Sequence, residues 1–149
     1  MLFARAMLAL LALPGVVAFG VPLLWLLGQR NVVPAHPLGW VLLAAGTVAL
    51  LACVRDFYVT GRGTLAPWAP PKVLVVVGLY RHSRNPMYLA VLLILLGWAW
   101  ALSSWALLGY AAVVAAAFQL RVVRGEEPWL ARTYGQGWEQ YRRQVPRWW

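Results

Sequence analysis

The chain has 149 residues and a net charge of +9, yet only 11% of its residues are charged while 62% are hydrophobic. Soluble domains carry about 25% charged residues, and a globule of this length has too little interior to hide so much apolar surface. That excludes an ordinary soluble fold and leaves lipid as the solvent. The basic residues sit at the ends of apolar blocks, so membrane orientation and anionic headgroups explain them better than nucleic acid does.

The first apolar block runs from about Ala6 to Leu27 and contains Pro14 and Pro22, which tend to kink a membrane helix. It is longer than the apolar core of a signal peptide, about 7–15 residues, and reads as a retained transmembrane helix. A polar link, Gly28 to Asn31, and the stretch Val32 to Pro37 lead into a second block from about Leu38 to Tyr58, where Gly39 and Gly46 are close-packing positions. Cys53, the single cysteine, lies in this block with no partner for a disulfide and no metal-ligand spacing, and reads as a small core residue.

The longest polar segment, Val59 to Tyr88, is rich in Gly and Pro. Its apolar run Val73 to Val77 is too short to span and is expected at the interface. A third block covers about Leu89 to Leu102, with its helix expected to begin near Pro86, a residue suited to a first helical turn. The fourth runs from about Trp105 to Val123. Only Ser103 and Ser104 separate the two, which predicts a tight helical hairpin. In the tail, Arg124 to Trp149, Glu127-Pro128 is expected to open a new helix, and Trp129, Leu130, Tyr134, Trp138 and Tyr141 recur at helical spacings on one apolar face.

The expected fold is all-α: an integral membrane protein with about four transmembrane helices and a cytoplasmic helical tail. It reads as a single domain over 1–149, with two N-terminal spans in 1–58, a loop in 59–88, a hairpin in 89–123 and the tail in 124–149. Four spans put Arg5, Arg55, Arg62, Lys72, Arg81, Arg84, Arg121, Arg124, Arg132, Arg142, Arg143 and Arg147 on one side and only Arg30 on the other. The positive-inside rule makes the crowded side cytoplasmic, with both termini and the long loop. Ten tryptophans, Trp148 and Trp149 among them, suit interfacial anchoring.

Two segments on that side carry chemistry. Around Tyr80, Arg81, His82, Arg84, Asn85 and Tyr88, an interfacial anchor of snorkelling arginine and headgroup-level tyrosine competes with a polar pocket. In such a pocket Arg84 grips a carboxylate or phosphate, Asn85 donates and accepts, and the tyrosines stack on a ring or face a cation. His82 is a candidate general base. In the second segment, Glu126 and Glu127 lie just past the expected end of the fourth helix, where the helix dipole disfavours them. Pairing with Arg121 and Arg124, an N-cap role for the next helix helped by Pro128, or a cationic ligand would compensate. There is no zinc spacing, dinucleotide fingerprint or phosphate loop, and Ser103 and Ser104 have no base nearby.

These segments resemble the isoprenylcysteine carboxyl methyltransferase family and its bacterial relatives, which include phospholipid methyltransferases. The family pattern looks like Gly78-Leu79-Tyr80-Arg81 and Arg84-Asn85-Pro86-Met87-Tyr88, then a membrane hairpin. Glu126-Glu127-Pro128-Trp129-Leu130, Tyr134-Gly135, Tyr141 and Val145-Pro146-Arg147 follow. The resemblance covers Gly78 to Trp149. It implies an S-adenosylmethionine-dependent methyltransferase of a bacterial inner membrane, with the cofactor at the cytoplasmic ends of the last helices, covered by the tail, and a lipid-like acceptor entering from the membrane. Carried over, Arg84 and Glu127 are the catalytic pair. Tyr80, His82, Asn85, Pro86, Tyr88, Glu126, Glu127, Leu130, Tyr134, Tyr141 and Arg147 surround the cofactor. Glu127 is expected to bind a cofactor or substrate cation and Arg84 an anion. Asn85 stands where the prenylcysteine enzymes have His, and Pro128 directly follows the Glu pair. The acceptor implied is lipophilic or membrane-embedded, such as an isoprenylcysteine-like carboxylate or a phospholipid amine, with a thiol or a small lipophilic molecule also open. An NADPH-dependent membrane reductase of related architecture and a non-enzymatic scaffold are the competing readings.

Overall fold

The computed structural model describes residues 11–29, 36–61 and 72–149, and these are helical with no strand among them. The parts of the first block, the first link and the long loop that fall in 1–10, 30–35 and 62–71 lie outside the described residues.

Helix α1 joins a π-helical stretch, Leu11–Gly20, to an α-helical end, Val21–Leu27. Pro22 explains a feature of this helix. Proline has no N–H, so one carbonyl a turn before it loses its helical donor. In that turn the Ala18 carbonyl accepts from the Trp98 indole N–H, at 3.1 Å, and the Val17 carbonyl from the Tyr110 hydroxyl, at 3.2 Å. In an apolar surrounding an unfilled carbonyl is costly, so these bonds tie α1 to the helices that carry Trp98 and Tyr110.

Helix α2, Pro37–Val59, matches the second apolar block to within a residue at each end. Helix α3, Pro86–Ala101, begins at its proline as the sequence predicts. Among the described residues α2 and α3 form the most extensive helix pair. Gly39 and Gly46 lie in their seam: a Cβ on Gly46 would stand 2.8 Å from Ile94 Cγ1 and 2.9 Å from the Ala90 carbonyl oxygen. Small residues are what allow backbones this close in a membrane.

The hairpin is as expected. Ser103 turns the chain with φ 46°, and Ser104 caps helix α4, Trp105–Arg121, by accepting from the Leu107 N–H at 3.2 Å. In the tail, helix α5, Glu127–Tyr134, begins at Glu127-Pro128 as expected, but α4 does not stop before it and passes into it through a π-helical turn, Val122–Glu126. The Glu127 N–H bonds to the Val122 carbonyl, five residues back. That wider turn lets the chain absorb Pro128, whose ring would otherwise collide with the preceding turn. Glu126 and Glu127 therefore sit inside a continuous helix and not at a dipole terminus. Gly135, with φ 50°, then breaks the chain before α6, Gln136–Gln144. The expected single aromatic face is accordingly bent. Trp138, Tyr141 and Val145 form a small core with Leu130, Ala131 and Tyr134 against it, while Trp129 stays exposed.

Within Val73 to Val77, Val75 is buried against Cys53 and Tyr80 and Leu74 packs on the Trp138 cluster, while Val73 and Val76 stay exposed, so the run straps the core along one side.

By length and composition, two helices among the described residues can cross a membrane: Pro37–Val59 and the continuous Trp105–Tyr134. Pro14–Leu27 and Pro86–Ala101 are shorter apolar helices. Large apolar side chains face outward, such as Val48 (68% exposed) and Val113 (67%). Lipid accounts for that arrangement, since a soluble monomer rarely displays such surface.

The α2–α3 seam leads to a stability test. Gly46→Leu forces the Ala90 and Ile94 backbone apart and should cost about 1–3 kcal/mol or more. Gly109, where an added Cβ meets none of the described residues within 4 Å, should accept Ala with no loss. Thermal melting of the two variants in detergent compares them.

Candidate functional site

The chain's chemistry gathers where the loop before α3 meets the α4–α5 junction and the C-terminal strap. Glu127 is the centre. Arg147 grips it as a fork, with Nε 2.9 Å from Oε1 and Nη2 2.8 Å from Oε2. Arg84 adds Nη1 at 3.1 Å from Oε1. Arg84 and Glu127 are only 11% and 16% exposed at their side chains. The Arg84 guanidinium also lies 5.3 Å from the centroid of the Trp138 ring, a cation–π contact with a ring that is itself buried.

One donor of this group is left over. Arg84 Nε is buried and has no hydrogen-bond partner among the described residues. Two guanidinium groups facing one carboxylate also leave the cluster with positive charge in excess. Burial lowers the Arg84 pKa, and Glu127 offsets part of that. At Glu127, which lies past the apolar length of α4, burial pulls its pKa upward. The Arg147 hydrogen bond and the Arg84 charge outweigh it and hold the carboxyl below its ordinary value.

The strap reaches this position through its backbone. The Pro146 carbonyl accepts from the Arg84 N–H at 2.9 Å. The Arg147 carbonyl accepts from the Ser83 hydroxyl at 3.2 Å and from the Asn85 amide at 3.0 Å. Asparagine is a preferred helix N-cap, and Asn85 stands at the N-cap of α3, yet its side chain makes no cap bond there. It is spent on the strap instead, and Ser83 Oγ takes the Asn85 N–H at 3.1 Å. Pro86, buried, opens α3 directly behind.

A second cluster adjoins the first. Adjacent residues on a helix point about 100° apart, so Glu126 turns away from Glu127 toward α3. It accepts from the Tyr88 hydroxyl, and from Arg121 Nε at 2.8 Å. Arg121 also donates to the Tyr88 oxygen at 3.1 Å. The Tyr88 ring lies 4.3 Å from Phe118, centroid to centroid. Glu126–Arg121 pairing is the compensation expected from sequence. The partners of Glu127 are not Arg124 but Arg84 and Arg147, distant in sequence.

The other candidates divide. Tyr141 is a staple: its hydroxyl donates to the Tyr80 carbonyl at 2.7 Å, with the Ser83 carbonyl at 3.5 Å, and burial pushes its pKa up to about 12. The Tyr80 ring packs on Phe57 and Cys53 and only its carbonyl reaches the assembly. Leu130 and Tyr134 lie half-buried on the Trp138 core, and Tyr134 meets Trp129 edge-on at 6.0 Å. His82 is exposed and takes no part in the hydrogen bonds among the described residues that join the clusters. Trp138 and Arg121 are members that sequence reasoning placed only on an apolar face and in a surface pair. A tryptophan one turn from Tyr134 beside an arginine-rich face was the available signal.

Against this geometry a family comparison becomes informative. A family model described as phospholipid methyltransferase matches residues 34–137, well over half of the chain, and the chain belongs to that family. It is thus a membrane protein of a methyltransferase family. The matched stretch holds Arg84, Tyr88, Glu126 and Glu127 and ends before Tyr141 and Arg147. No curated protein matches the chain, and no solved structure does.

The cluster predicts unequal costs for two acidic residues. Glu127→Ala strands two guanidinium groups, one largely buried, and should destabilise by about 2–4 kcal/mol. Glu139→Ala breaks only an exposed pair with Arg142 and should cost less than about 0.5 kcal/mol. Because folding holds the Glu127 carboxyl more acidic than in the unfolded chain, its contribution is complete above about pH 4.3 and fades as pH falls through the lower folded value. Acid melting curves of wild type and Glu127→Ala should therefore converge at low pH.

Proposed function

We propose that the chain transfers a methyl group from S-adenosylmethionine to a membrane-embedded acceptor, with the site at the cytoplasmic ends of α3 and α4. The observation that carries the reading is the partly buried Arg84–Glu127–Arg147 cluster, built from three of the family-pattern segments, with one arginine donor unsatisfied among the described residues.

The residues fit the cofactor. Its carboxylate suits Arg84 Nε, buried and lacking an acceptor, in a cluster with excess positive charge. Glu127 then acts by holding the two guanidinium groups in place, and its remaining lone-pair directions face the ligand's ammonium. The half-exposed Tyr134 and Trp129 offer aromatic surface for the adenine, and Leu130 and Tyr141 support that wall. When bound, S-adenosylmethionine supplies an electrophilic methyl group beside a sulfonium cation. Tyr88, braced by Phe118, Arg121 and Glu126, presents a ring to that cation from the membrane side. The protein's part is alignment and exclusion of water, which can supply much of the acceleration of an in-line displacement. An amine acceptor must shed a proton. Glu127 is a poor recipient with two guanidinium groups on it. His82, exposed two residues before Arg84, is the candidate base.

The membrane arrangement supports this reading. Helix α3 is the hairpin partner of α4, so if α4 crosses, α3 crosses beside it. Its 16 residues reach about 24 Å, slightly short of the hydrocarbon core of about 30 Å. With α1 this makes four spans, all basic residues but Arg30 on one side, and a cytoplasmic tail. The acceptor class that suits the family is a phospholipid amine.

The test is calorimetric titration of the detergent-purified protein with S-adenosylhomocysteine. Wild type should bind, and Arg84→Ala should lose at least about tenfold in affinity, the loss of one charge-assisted hydrogen bond. Binding that Arg84→Ala leaves unchanged would remove Arg84 from the cofactor site. No binding in folded protein would overturn the methyltransferase reading.

A further inference from the structure

A cleft of about 270 Å³ lies between α3 and α4, lined by Leu89, Leu92, Ala115, Gln119, Trp148 and Trp149. It is no part of the ion clusters, but it begins where they end. Leu89 follows Tyr88 on α3, and Gln119 precedes Arg121 by two residues on α4. Its walls are otherwise apolar, and they belong to the two helices of the hairpin.

The roof comes from the C-terminus. The backbone of the strap is tied down as far as the Arg147 carbonyl, held by Ser83 and Asn85. Beyond that anchor Trp148 swings across to α4 and donates its indole N–H to Gln119 Oε1 at 2.9 Å. That bond satisfies the polar edge of the indole on the one polar side chain of the cleft and leaves its apolar face as a wall. Trp149 continues outward, 87% exposed. A tryptophan so exposed is unfavourable in water but well placed at a lipid headgroup boundary.

We propose that this cleft holds one acyl chain of a phospholipid acceptor, and that Trp148, latched to Gln119, is the residue that closes it over the chain. The inference rests on the methyltransferase reading only for the word acceptor. The size argues for a chain, since the cleft is smaller than the roughly 300–1,000 Å³ of sites that enclose a whole small molecule. The charge argues for a phospholipid. Arg121 stands at the polar end with its side chain 53% exposed, within reach of a phosphate while its Nε holds Glu126. The headgroup amine is then on the Tyr88 side, next to the Arg84 cluster, and the second acyl chain stays in the bilayer.

Photo-crosslinking tests this without requiring turnover. The probe is a phosphatidylethanolamine with a diazirine midway along one acyl chain, incorporated with the full-length protein in lipid nanodiscs, and adducts are mapped by mass spectrometry. Adducts should concentrate at Leu89, Leu92 and Ala115 over the lipid-facing Val48 and Val113. Leu92→Trp, which fills the cleft, should cut the cleft adducts at least about tenfold while Val48 adducts persist. Trp148→Ala should lower them as well and leave S-adenosylhomocysteine affinity unchanged. Adducts at the cleft no denser than at Val48, or unaffected by both variants, would overturn the proposal. Competition by a long-chain alcohol as effective as that by phosphatidylethanolamine would overturn the phospholipid assignment. S-adenosylhomocysteine titration of the same samples separates the two readings, because cofactor binding with no cleft capture sinks only this inference, and capture with no cofactor binding sinks only the methyltransferase assignment.

Discussion

Two guanidinium groups converge on one carboxylate at Glu127, and the geometry of the polar end of the molecule depends on that convergence. Arg84 belongs to the loop before α3, Glu127 to the α4–α5 junction and Arg147 to the final strap. Each charge removed from water carries a desolvation cost, which only good geometry and full hydrogen bonding offset. The forked Arg147 contact, the Arg84–Glu127 pair and the Trp138 ring beside Arg84 contribute to that compensation. The Arg84 Nε is the part left unmet. Buried polar groups are rarely orphaned, so this donor is the exception in the cluster.

The cluster is held in register by devices built from local sequence. The π-turn Val122–Glu126 lets the fourth helix run on through Pro128 and sends the adjacent carboxylates to different partners. Asn85 gives its amide to the strap in place of capping its own helix. Tyr141 pins the two carbonyls of the loop from the other side. Asn85 therefore has a positional reason in this chain: an amide can donate to the Arg147 carbonyl at the mouth of α3 without adding charge.

The apolar half follows the same economy of polar groups. Pro22 removes a helical donor from the turn that holds Val17 and Ala18, and Tyr110 and Trp98 donate to those two carbonyls. Glycine at 46 lets α2 and α3 approach until backbone meets side chain. A rigid apolar seam on one side of α3 leaves its other side, with Leu89 and Leu92, to face α4 across the cleft. The contrast between a tight seam and an open cleft on the same helix is a consequence of which residues are small.

Sequence alone determined the membrane class, the boundaries of α2, the start of α3 at Pro86, the hairpin at Ser103-Ser104 and the family, because each rests on local signals: long apolar runs, a proline at a first turn, a short polar break, an ordered set of motifs. It also brought Arg84, Asn85, Glu126, Glu127, Tyr141 and Arg147 into one neighbourhood through their family resemblance. What it did not decide was who meets whom. Glu127 pairs with residues 43 and 20 positions away in the chain, Trp138 lies under Arg84, and Trp148 reaches Gln119. Those contacts follow from where three segments cross in space, and only the packed helices determine the crossing.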